Sequence, residues 1–142
     1  PSVGLPEYQF VEIYNKTSSF IELGGGMISD RSGGGRIPAN TVIHPQSYVL
    51  LCGTSGLSSY RPYGSAVAVP SFPTLNTSSD LVQITNADGA ILDQVEYTNA
   101  WYRDLIKKDG GYTLERIDIN RKCGEADNWK ASEAPTGGTP GK

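Results

Sequence analysis

Apolar and polar residues alternate along this chain in short spans, and no apolar stripe recurs with the period of a helix for more than a turn. Residues 8–15 read as a first strand, with Val11 and Ile13 on one face and Tyr8, Phe10, Glu12 and Tyr14 on the other. Both faces are therefore expected to be partly covered. Residues 20–23 form a second short strand, and residues 27–30 a third between the glycine triplets at 24–26 and 33–35. The uninterrupted apolar run from Tyr48 to Cys52 predicts a central strand, reached through turns at Asn40 and Pro45. Residues 53–73, rich in Gly, Ser, Tyr and Pro, predict a long connection holding one short strand at 66–69. Residues 80–85 and 91–97 flank Asn86-Ala87-Asp88-Gly89 and predict a hairpin, Gly89 supplying positive φ. Residues 99–109 read as a loop with at most one helical turn. After Gly110-Gly111, residues 112–118 predict a strand with an apolar and a charged group on each face, which a half-buried strand does not normally show. The tail from 135 to 142 reads as an extended exit. The pattern as a whole is all-β.

Composition sharpens this. With 142 residues the chain suits one domain with a core of its own, and 17 glycines and nine prolines describe strands separated by specified turns. The formal charge of -3 argues against a nucleic-acid module, which needs clustered Lys and Arg; Lys107-Lys108 and Arg121-Lys122 are the adjacent basic pairs. No apolar run is long enough to span a bilayer, and no basic-then-apolar signal segment stands at the start. Pro1 in place of Met suggests an excerpt of a larger protein.

Chemistry is sparse. His44, the only histidine, sits in a turn without a nucleophile signature and reads as a surface residue rather than a catalyst. The glycine-rich segments lack the Lys-Ser/Thr ending of a phosphate loop, and one His with two distant Cys makes a poor zinc set, so no cofactor is expected. Asp30, Asp80, Asp88, Asp93, Asp104 and Asp109 could offer oxygens to calcium, but none follows the calcium-loop spacing and solvated turn aspartates are the better account. Cys52 and Cys123 leave two readings open, a disulfide in an oxidising compartment or two free thiols.

Four aromatics in expected loops, Tyr60, Tyr63, Trp101 and Tyr102, are candidate contacts for a sugar or a protein partner, against the plainer reading that they cap the ends of the core. Arg116 lies beside Leu114 on a presumed inner face and needs a carboxylate; Glu12 is the expected partner, in a cross-strand pair that serves stability. Asn15-Lys16-Thr17 and Asn76-Thr77-Ser78 fit the glycan acceptor pattern, which is common by chance.

Several segments in order resemble the lamin tail domain in its bacterial form. Residues 7–15 are similar to its "E-x-x-F-V-E-I-Y-N" opening, Ile28-Ser29-Asp30 to its "L-S-D", and residues 37–51 to its "I-P-A-G-T-V-I-x-P-G-x-Y-V-L-L". Residues 80–97 resemble the hairpin that follows, residues 111–118 its "G-x-S-L-E-R-I-D", and Asn128-Trp129 with residues 137–141 its closing "N-W…G-G-T-P-G". The resemblance implies an immunoglobulin-like β-sandwich of about seven to nine short, mostly antiparallel strands. Two departures matter. Gly26-Met27 stands where the family usually has an aromatic, so that ring is missing or comes from the 53–73 connection. The family's extra opening strand would precede Glu7, which leaves an edge to be uncovered or supplied by another molecule, a route to self-association.

By resemblance, such domains accompany secreted or surface hydrolases and nucleases and hold them near a target. The expectation is a non-enzymatic protein-interaction or tethering module of a larger exported or cell-surface bacterial protein, partnered by a protein or another surface component. A carbohydrate-binding module using the loop aromatics is the alternative.

Overall fold

The strand from Tyr48 to Cys52 is buried on both sides, and the rest of the chain is arranged around it. The computed structural model describes residues 3–121 and 126–142. In chain order the strands are β1 (Phe10–Tyr14), β2 (Ile21–Glu22), β3 (Met27–Ser29), β4 (Gly34–Arg36), β5 (Val42–Ile43), β6 (Tyr48–Cys52), β7 (Ala66–Ala68), β8 (Ser79–Thr85), β9 (Ile91–Thr98), β10 (Leu114–Arg116) and β11 (Trp129–Ala131). Among the described residues the one α-helix, α1 (Leu57–Tyr60), is a single turn between 3-10 turns. The eleven short strands of the described residues exceed the expected number because segments not expected as strands also pair, among them the three-residue pieces β4 and β11.

The main sheets run β4-β3-β8-β9 and β1-β6-β7, with the small pairs β2-β5 and β10-β11 beside them. All pairings are antiparallel except β6 with β7. Val49 and Leu51 point from β6 into the main core with Leu23, Ile28, Ile37, Ile43, Val69 and Ile84. Leu50 and Cys52, on the opposite face, meet Tyr60, and Phe10 and Leu57 pack against them. A strand with cores on both faces must be apolar at every position, and β6 is. The same arrangement explains β1, whose Val11 and Ile13 pack on the main core while Phe10 packs on the second.

Turn chemistry agrees with the backbone. Asn40 takes φ 66°, Gly89 φ 84° and Gly111 φ 82°, the left-handed values their positions require. Phe72, from the long 53–73 connection, packs against the main core. Asn15 is fully buried, and its amide donates to the carbonyls of Ser19, Ile43 and His44 at 2.7, 3.0 and 3.1 Å. That amide is a clamp between loops and is not presented to a glycan. Among the described residues no helix is long and apolar enough to cross a membrane.

Candidate interaction surface

The four aromatics singled out in the sequence fall into two separate groups. Tyr60 is fully buried, stacks at 4.9 Å on Phe10, and donates its hydroxyl to the Tyr8 carbonyl at 2.5 Å. Burial, with Cys52 and Tyr63 nearby, pushes its phenol well above the ordinary value. The expectation that Tyr60 contacts a ligand is therefore corrected: α1 folds over the outer face of β6 and places this ring in a core. Tyr63 is half-buried against it, ring centroids 6.1 Å apart.

Trp101 and Tyr102 lie in the loop that follows β9, and both are half-buried. Trp101 packs on Trp129 of β11 at 6.3 Å, and the Arg116 guanidinium lies over the Trp129 ring at 4.9 Å. The Tyr102 hydroxyl donates to the Tyr112 carbonyl at 3.3 Å, while Lys107 donates to the Ser132 carbonyl at 2.8 Å with its ammonium 5.0 Å from the Tyr112 ring centre. These contacts make a stiff base. Above it, Arg103 takes a left-handed φ of 55°, and Asp104 accepts from the amides of Ile106 and Lys107 at 2.8 and 3.0 Å. Those amide bonds hold the Asp104 carboxyl below the usual carboxylate range.

The loop thereby raises Leu105 and Ile106, which are 82% and 81% exposed, more than any other large apolar residue described. Two shallow hollows of about 160 and 240 Å³ flank this tip and share Arg103 and Asp104 in their linings. Sequence reasoning named the base aromatics and Lys107-Lys108 but missed the tip. Its signal was present in two adjacent aliphatics, bracketed by Arg103-Asp104 and Lys107-Lys108, in a stretch without strand alternation.

The Glu12–Arg116 pair expected from the sequence gives way to two separate contacts. Arg116 meets Asp93 of β9 at 3.1 Å, because the β10-β11 hairpin lies against that edge of the four-stranded sheet. Glu12 accepts from the Gly141 amide at 2.5 Å, and burial raises its carboxyl, opposed by that amide and reinforced by Glu115. The Arg116 Nε and Trp129 Nε1 donors have no partner among the described residues. Cys52 is a buried free cysteine among the described residues, its Sγ 3.8 Å from the Val67 carbonyl; Cys123, its partner in the bridged reading, lies outside them.

Asp80, one of the aspartates weighed for calcium, is buried in β8 and accepts from the Asn76 and Leu81 amides at 2.9 and 2.8 Å. His44 is exposed and meets the edge of Phe20 at 4.9 Å. Leu105 and Ile106 thus form an exposed apolar pair above a packed and hydrogen-bonded loop base.

The sequence profile described as Lamin Tail Domain matches residues 2–99. The chain belongs to the lamin tail domain family. Its immunoglobulin-like fold is typically non-catalytic and serves protein interaction, in keeping with the strands and cores above. A comparison with curated proteins finds no match. The lamin tail domain match stops at Asn99, so Trp101, Tyr102, the exposed tip and the β10-β11 hairpin all lie beyond it.

Proposed function

We propose that this lamin tail domain is a non-catalytic tethering module of a larger exported or cell-surface bacterial protein, and that it makes its contact through the loop of residues 99–109. The observation that carries this reading is the pair Leu105 and Ile106, held out by a loop whose base is packed and hydrogen-bonded. Apolar side chains displayed together on a rigid support are what an interaction site requires, and folding alone gives no reason to display them.

The carbohydrate-binding reading has less behind it. Tyr60 is buried, Tyr63 is packed on Tyr60, Trp101 is packed on Trp129, and the Tyr102 hydroxyl is engaged by Tyr112. Self-association, expected at the edge ahead of Glu7, would fall on β1, the outer strand of the β1-β6-β7 sheet, and has no further observation behind it.

The test is retention of the parent protein at the cell surface, compared between wild type and the double substitution Leu105→Ser/Ile106→Ser at equal folded amounts. Loss of retention is expected. Full retention of the double variant would remove the loop from the contact.

A further inference from the structure

The partner of this tip follows from its shape, charge and hydrogen bonding, and the inference rests on the reading of residues 99–109 as the contact. We propose that Leu105 and Ile106 insert into the outer layer of an anionic lipid bilayer, with Arg103 and Lys108 meeting the headgroup phosphates.

Three features favour lipid over a protein pocket. First, the tip is convex and its hollows are shallow, so it offers two adjacent aliphatic side chains and little matching relief. A protein pocket discriminates by shape, whereas a bilayer accepts any small apolar point.

Second, the amides of residues 106–110 already have acceptors within the loop. Ile106 and Lys107 donate to the Asp104 carboxylate, Lys108 donates to the Asp104 carbonyl at 3.2 Å, Asp109 to Ile106 at 3.2 Å and Gly110 to Lys107 at 3.3 Å. Hydrocarbon supplies no hydrogen-bond partner, so a backbone entering it has to be satisfied from within, a stricter demand than any protein groove makes.

Third, Arg103 and Lys108 flank the aliphatics in the chain; Arg103 is exposed and donates to the Ala126 carbonyl at 2.9 Å, while Lys107 is held in the loop base by Ser132. Asp104, bonded to the loop amides, keeps its charge, and Asp109 pairs with Lys108 at 2.8 Å, so three cations against two acids leave the loop one positive charge. Long basic side chains beside an inserting apolar pair can reach back to the phosphates.

Two aliphatic side chains anchor weakly, so binding should be reversible and depend on charge. The test is co-sedimentation of the purified chain with vesicles of phosphatidylcholine, with and without phosphatidylglycerol. The wild-type chain is expected to sediment with the anionic vesicles, less so as salt is raised, and Leu105→Ser/Ile106→Ser to weaken binding by at least about 100-fold. Thermal unfolding of the variant, expected to match wild type, confirms that the fold is intact.

A wild-type chain that stays in the supernatant with both vesicles overturns the proposal, as does a double variant that sediments equally well. The retention measurement reads separately. Retention that needs the tip, in a chain that ignores vesicles, keeps the contact and reassigns it to a protein pocket. Retention and sedimentation both indifferent to the tip overturn both readings.

Discussion

Strand β6 and the loop of residues 99–109 place apolar side chains in opposite ways. In β6, Val49, Leu50, Leu51 and Cys52 are all at most 1% exposed, because a core lies on each face. In the loop, Leu105 and Ile106 stand in solvent while the groups beneath them are packed and hydrogen-bonded. The first arrangement stabilises the fold and leaves nothing for a partner. The second adds little to the fold and leaves two side chains free to bind. The family profile matches residues 2–99, which hold both cores and end before the tip.

The sharpest way to break this contrast is within β6. Leu51→Ala removes a fully buried side chain from the main core and is expected to cost about 2–5 kcal/mol by urea unfolding. A loss under about 1 kcal/mol would mean that β6 is not the packed centre of the molecule.

A smaller effect is expected between the two regions, where the C-terminal segment closes on β1. Burial raises the Glu12 carboxyl above its ordinary value of 4.5; the Gly141 amide works against this and Glu115 adds to it. A carboxyl raised in the folded state contributes stability that is full below the unfolded value and is lost as pH rises through the raised one. At neutral pH the ionised Glu12 is thus a burden on the fold. Glu12→Gln keeps an acceptor for the Gly141 amide and removes the charge, so the Tm should rise by up to about 3 °C at neutral pH. The gain should fade as pH drops toward about 4, where Glu12 is itself protonated. Thermal unfolding across that range checks both sign and window. A lower Tm for Glu12→Gln at neutral pH would show that the ionised carboxylate is needed.

Much of the fold was legible in the sequence because it rests on local rules. The apolar run of β6, the left-handed positions at Asn40 and Gly89, and the two-faced covering of β1 follow from residue type and a period of two. Tyr60 was harder to place. Leu57, Tyr60 and Tyr63 recur every third residue, a one-turn helical stripe, but Gly, Ser and Pro around them read as loop. The Arg116 partner was not legible at all. Asp93 is 23 residues away on another sheet, and only the resting place of the β10-β11 hairpin selects it over Glu12. Within the candidate surface, Trp101 and Tyr102 were found for their chemistry but turned out to form the support. Exposure, which marks out Leu105 and Ile106, depends on what the rest of the chain fails to cover.

The claim beneath all of this is that the fold does not use the tip. Urea unfolding of Leu105→Ser/Ile106→Ser tests it most directly. The predicted result is a stability within about 0.5 kcal/mol of wild type, as for solvent-exposed positions elsewhere. A loss of about 2 kcal/mol or more would show that these side chains are packed in solution and are not held out for a partner.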